Sequence, residues 1–360
     1  MENCEIQQRM QKMLLKNANA KSVEDALASL GGEIIVSGNY SACLSPQELK
    51  EINIIIKDIV DAYRAFLQGQ IEKCYSRIYD LLFKTKFLHP IFNKEILKGD
   101  KWWYRMRKND NGYPFSKEEL FHVPFQERWK ISNYRYSLSG FPCLYLGSSI
   151  YDCWEELNRP DFYYANVSGF KLQRDINVID LRFPQHIGSP TDFYVLPLIT
   201  ACSVQVKNEN ANFKPEYIIS QAILHAIIRH TDSKTRDNSF NGLLTYSSKC
   251  GNSSNLFENK KIFENLILPT VTNTIDSTAE KIYAEGYCPI LINTIGMTEP
   301  TSFYLYDLSK RQSVICNLSD DNDYLCSKFA EFENYIKTLS LSTIRHCEFL
   351  RINRDLICHY

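Results

Sequence analysis

The residues best suited to chemistry gather between Lys101 and Leu157. Trp102-Trp103-Tyr104-Arg105-Met106-Arg107 reads as an aromatic strand. Side chains alternate along a strand, so Arg105 and Arg107 share a face. An arginine among aromatics on a strand suits a phosphate, because the planar guanidinium fork can hold two phosphate oxygens at once. An ordinary surface ion pair would use the same residue types. Further on, Glu155 and Glu156 stand side by side in a stretch that Ser149 caps as a helix. Adjacent helical residues point ~100° apart, so at least one of the two carboxylates can face inward. An inward Glu serves as an ion-pair partner or as a catalytic carboxylate, and residue type alone leaves both open.

The elements that must position these groups can be read from pattern. Ser45-Pro46-Gln47-Glu48 is a helix start: Ser45 and Glu48 can exchange hydrogen bonds, and Pro46 sits where its missing N–H costs nothing. Leu49, Ile52, Ile56, Ile59, Tyr63 and Phe66 recur at helical spacing. Gly69 interrupts, and Ile71 to Phe83 resumes as a second helix. One or two shorter helices precede Leu30, and Gly31-Gly32 to Leu44 reads as a loop. From Trp102 onward, short apolar runs alternate with turn residues. Strands are expected at 102–106, 143–147, 164–172, 177–181, 243–246 and 302–308. Helices are expected after Ser149, from Pro215 to His230, and from Asp321 to Leu339, while 194–206 suits helix or strand equally. The fold class expected is α+β, with a helical N-terminal domain at 1–98, an α/β domain with a central mixed sheet at 99–310, and a helical extension at 311–360.

Composition and missing motifs exclude several functions. Lys+Arg 41 against Asp+Glu 42 leaves a net charge of −1, which argues against a protein that coats nucleic acid or an anionic membrane. The 12 cysteines include no C-x-x-C pair, so they are read as reduced residues of a cytoplasmic protein. The N-terminus lacks the basic-then-apolar pattern of a secretory signal, and no apolar run approaches the ~18 residues of a membrane span. P-loop, G-x-G-x-x-G, H-E-x-x-H and G-x-S-x-G patterns are all absent, and the seven histidines are scattered, so no metal is expected. Arg354 and His359 match the R-x4-H spacing of HEPN-type ribonucleases, a remote alternative.

One ordered set of motifs remains. Tyr104-Arg105-Met106-Arg107, then Arg135-Tyr136-Ser137, then Leu144-Tyr145-Leu146-Gly147 with Glu156 eleven residues past the Tyr, resembles the RES domain. Pro215 to Gln221, Asn241 to Ser248, Asn265 to Pro269 and Thr298-Glu299-Pro300 are similar to later landmarks of its longer members. The resemblance implies an ADP-ribosyltransferase-like fold that takes NAD as substrate and cleaves its nicotinamide N-glycosidic bond. Water, phosphate or a protein side chain would be the acceptor. It also implies a bacterial toxin held in check by an antitoxin partner. By position, Glu156 would be the key carboxylate, Tyr145 would pack on the nicotinamide ribose or ring, and Arg105 would hold the pyrophosphate. Arg135, with Tyr136 beside it, would support the phosphates or ribose. The Arg135 element lacks the family's preceding Gly and following Asn. The third signature residue, a Ser, falls on Ser247, with Ser220 and Ser248 as alternatives. An NAD-binding interaction module without turnover is the reading from another class.

Overall fold

The structure is a computed structural model, and it describes residues 3–40, 43–92, 96–109, 114–161, 164–184, 186–233, 242–247, 263–270, 286–303 and 328–344. Arg354, His359 and Ser248 lie outside these residues. The chain begins with α1 (Asn3–Ala18) and α2 (Val23–Gly31). The predicted loop at Gly31-Gly32 instead continues as a π-helical turn, Gly32–Val36, because both glycines keep right-handed helical backbone. Helix α3 (Pro46–Leu67) starts on the full Ser45–Glu48 capping box. Gly69, at φ 81°, closes it, and the Gln70 N–H turns back to Ala65 O at 2.8 Å. Helix α4 (Ile71–Phe83) returns antiparallel, and the short α5 (His89–Phe92) leads to the sheet.

Nine strands are found among the described residues: β1 (Ile96–Leu97), β2 (Trp102–Lys108), β3 (Cys143–Gly147), β4 (Ala165–Leu172), β5 (Ile176–Asp180), β6 (Gly242–Tyr246), β7 (Glu264–Pro269), β8 (Ile295–Met297) and β9 (Thr301–Ser302). Their order is β1-β5-β6-β7-β3-β2-β4-β8, with β9 beside β4. All neighbours are antiparallel except β5 and β6. The sheet is therefore mixed, and the fold is α+β with a helical N-terminal region. The strand expected at 302–308 enters the sheet only at Thr301–Ser302; its remainder past Phe303 lies outside the described residues.

The other helices are α6 (Lys117–Leu120), α7 (Ile150–Glu156), α8 (Pro190–Ser203), α9 (Ile218–Ser233), α10 (Pro289–Ile292) and α11 (Lys328–Thr338). The ambiguous stretch at 194–206 thus belongs to α8 for most of its length. Residues Phe193 to Cys202 of α8 are all buried, so it has no polar stripe to betray its period.

Side-chain alternation gives the sheet two dressed faces. Cys143, Ile179, Leu243 and Ile267 pack under α8, α9 and the N-terminal helices in one continuous core. Leu144, Leu146, Leu266, Leu268 and Phe170 fill the opposite face with Trp103, Phe125 and α10. A third cluster joins Tyr104, Met106 and Val167 to α7 and to Phe329 and Phe332 of α11. Strands β2 and β3 share a single register pair, Tyr104↔Gly147, and part beyond it. Arg105 of β2 and Tyr145 of β3 lie on the side where the two strands part.

Candidate functional site

Glu156 is the last residue of α7, and three devices place it. Ser149 caps the helix by accepting the Asp152 N–H at 3.0 Å. Glu333 of α11 takes the Ile150 N–H at 2.7 Å. Asn158 and Arg159, both at positive φ, stop the helix immediately after. Gly147, at the end of β3, lets the helix lie close: a Cβ there would meet Cys153 Sγ at 2.8 Å and Asp152 Oδ2 at 2.9 Å.

The two adjacent carboxylates separate by partner. Glu155, itself largely buried, pairs with Arg159, with 3.0 Å between Arg159 Nε and Glu155 Oε2. Glu156 turns in. The Ser247 hydroxyl donates to Glu156 Oε1, and Asn265 Nδ2 donates to the same oxygen at 3.1 Å. Oε2 accepts no hydrogen bond among the described residues. Of the two candidate serines within the described residues, Ser247 is thus the one at Glu156. Ser220 is buried on α9, facing Cys202.

Asn265, one of the later landmarks in sequence, is a direct partner of Glu156. It is the second residue of β7, and that end of the strand is clamped to the loop before α7. The Ser148 N–H donates to Glu264 O at 2.7 Å, and the Glu264 N–H donates to Ser148 Oγ at 2.9 Å. The Glu264 carboxylate is held by Lys101 and by Arg182, whose Nη1 lies 2.6 Å from Oε1. Arg182 also grips Asp180 through Nη2 at 2.5 Å. A balanced ionic network thus ties β5, β7 and the start of β2 beside Glu156.

Arg105 and Tyr145 stand where β2 and β3 separate. One terminal nitrogen of Arg105, Nη1, is sealed from water and has no hydrogen-bond partner among the described residues. Burial, then Arg107, push the guanidinium down to about 10, so it stays cationic at neutral pH; Tyr134 and Tyr145 nearby favour the charge. The Tyr145 hydroxyl is likewise sealed and makes no well-formed hydrogen bond. The exposed Tyr134 ring lies 6.3 Å from the Tyr145 ring. Behind Arg105, His122 accepts the Cys288 N–H on Nε2 at 2.9 Å, and its Nδ1 faces Val123 O at 2.8 Å. Burial holds this imidazole down at about 3, so it is neutral. Arg107, by contrast, is exposed and donates to Glu119 O.

Arg135 and Tyr136 are placed differently. Arg135 Nη1 donates to Cys202 O at 2.7 Å and Val204 O at 3.0 Å, closing the end of α8. Its guanidinium lies 5.0 Å from the Tyr217 ring centroid. Tyr136 is buried, and Gln221 of α9 holds the turn it belongs to through Tyr134 O at 3.0 Å. So Glu156, Ser247 and Asn265 form one cluster, Arg105 and Tyr145 with Tyr134 a second, while Arg135 faces helix carbonyls.

Among the described residues, no group of three His, Cys, Asp or Glu is placed to hold a metal ion, and no helix is long and apolar enough to cross a membrane. Glu156, with two donors on one oxygen, and Arg105, with a sealed nitrogen beside the Tyr134–Tyr145 pair, are the two polar centres of the candidate site.

No protein-family model matches the chain, and no solved structure matches it. It is similar to the Bacillus subtilis (strain 168) protein described as "Putative toxin YopC", at 32% identity over 61% of this chain and 50% of that protein. The chain thus spans about half the length of the curated relative it matches.

Proposed function

We propose that the chain is a RES-type toxin that consumes NAD by cleaving the nicotinamide N-glycosidic bond. The observation that carries this reading is the state of Glu156: Ser247 and Asn265 both donate to Oε1, which leaves Oε2 for a substrate. The named relative supports the toxin half of the proposal.

In this reading Arg105 holds the pyrophosphate, with Nη1 completing its bonding on a phosphate oxygen. Tyr145 and Tyr134 offer ring surface to the nicotinamide riboside end. As neutral nicotinamide leaves, positive charge develops on the ribose, and Glu156 faces it through Oε2. Two donors on Oε1 fix the carboxylate in place before the charge appears, so little reorganisation accompanies the reaction. The nucleophile then adds to the same carbon. Water gives ADP-ribose, phosphate gives its phosphorylated form, and a protein side chain gives an ADP-ribosylated protein. A partner that blocks this opening would restrain the toxin.

The test is to incubate the purified chain with NAD, with and without phosphate, and to resolve the products by chromatography beside Glu156→Gln. NAD loss is expected in the wild type, lowered by ~10²–10³ in the variant, as for loss of a charge-stabilising group. NAD left intact by the wild type, without and with added protein acceptors, would refute the proposal.

A further inference from the structure

The three chain segments that meet at Glu156 are joined at one residue, Glu264, the first of β7. Its carbonyl accepts the Ser148 N–H at 2.7 Å, and its own N–H donates to Ser148 Oγ at 2.9 Å. The loop that opens α7 therefore hangs from Glu264 by two bonds. Glu264 also stands opposite Tyr246 in the β6–β7 ladder. One step further, the Ser247 N–H donates to Phe263 O at 2.9 Å and continues that pairing. Asn265 is the next residue in the chain and stands opposite Gly147 of β3. Glu156 arrives on the first of these segments, Ser247 on the second and Asn265 on the third.

The Glu264 side chain is held as firmly as its backbone. It is 6% exposed, and both carboxylate oxygens are taken. Lys101 pairs with Oε2, and Arg182 Nη1 lies 2.6 Å from Oε1. Arg182 is braced in turn, its Nε 3.0 Å from each Asp180 oxygen and its backbone N–H 2.8 Å from Asp180 Oδ1. Lys101 Nζ lies 4.4 Å from the Trp103 ring centroid, at the start of the strand that carries Arg105. Glu156 keeps one oxygen open, whereas Glu264 keeps none. Its carboxylate is placed to hold structure rather than to meet a substrate. Successive strand residues point to opposite faces, so Glu264 and Asn265 leave β7 on opposite sides. The carboxylate thus acts on Glu156 through the backbone between them. Without it, Lys101 would have no counter-charge among the described residues, and Arg182 would keep Asp180 alone.

We propose that Glu264 is a positioning residue: gripped by Lys101 and Arg182, it keeps Ser247 and Asn265 in register with α7, so that both donors meet Glu156 Oε1. Its effect on turnover rests on the catalytic reading of Glu156. Its effect on the three segments does not, and can be read without activity.

The experiment compares wild type, Glu264→Gln and Lys101→Met in the full chain. Glutamine keeps the shape and removes the charge. Methionine keeps an apolar stem against Trp103 and removes one cation. Hydrogen exchange of the Ser148 and Ser247 amides, measured against the amides of α3, is expected to quicken about tenfold in both variants, as for the loss of one charged partner. Unchanged exchange at both amides would overturn the proposal. In turnover, Glu264→Gln should lower kcat up to ~10²-fold with KM little changed. The same substitution in a chain already carrying Ser247→Ala and Asn265→Ala should cost much less, because the groups it positions are gone. An equal loss in both backgrounds would overturn the positioning role. If Glu264→Gln does not fold, Lys101→Met carries the same comparison. Should the wild type leave NAD intact, the catalytic reading fails, while the exchange measurement still decides whether Glu264 holds the donor segments.

Discussion

At the scale of single residues, the two arginines expected to hold phosphate invite opposite expectations. Arg135 satisfies the Cys202 and Val204 carbonyls at the end of α8. Removing it orphans those acceptors, so Arg135→Ala should lower unfolding free energy by about 1–3 kcal/mol in urea titrations. Arg105 has a sealed nitrogen with nothing to bond. Arg105→Met should therefore hold or raise stability while weakening ADP binding, measured by calorimetry, by about tenfold to a hundredfold. If Arg105→Met instead destabilised the fold with ADP affinity intact, its phosphate role would be wrong. Ser247 and Asn265 invite a paired test. Each donates to Glu156 Oε1, so Ser247→Ala and Asn265→Ala should each lower kcat with KM nearly constant. Because both act on one atom, the double variant should lose less than the product of the two. Only part of this was readable from residues. The Glu155–Glu156 pair announced an inward carboxylate but not which one, since Arg159, which claims Glu155, is unremarkable in sequence. Ser247 stands out through the family resemblance rather than through any local pattern. Asn265 carries no local signal, being one of two polar residues, with Glu264, at the start of an otherwise apolar strand.

At the scale of elements, legibility followed periodicity and length. Helix α3 showed itself through its capping box and its apolar spacing, both present in the structure. Helix α8 did not, because it is buried on every side. Strands β1, β8 and β9 have two or three residues, too few to display alternation. The π-helical turn at Gly32–Val36 was hidden because paired glycines usually mark a break. The β2–β3 junction has no sequence signature at all. It is a relation between strands, set by β2 pairing fully with β4 and β3 with β7 while the two meet each other at one register position.

At the scale of the whole molecule, the N-terminal helices are structural partners of the sheet-bearing part. Ile52, Ile55 and Ile59 of α3 and Ile78 and Leu82 of α4 belong to the same core as Ile219, Ile223 and Ile227 of α9. A chain begun at residue 99 would expose that face to water. Burial of apolar surface contributes ~25 cal/mol per Å², so such a fragment should be insoluble or unfolded when expressed, as read by circular dichroism and sedimentation. A well-folded fragment from residue 99 would show instead that α8 and α9 need no cover.

The distances along the chain between the partners of Glu156 have a consequence for synthesis. Ser247 lies 91 residues beyond Glu156, and Asn265 lies 109. Proteins emerge from the ribosome N-terminus first. A growing chain therefore presents α7 long before the strands that complete its surroundings, and Glu156 gains its second donor only once residue 265 has been made. A cell producing this chain has that interval in which an inhibitor can meet it before the site exists.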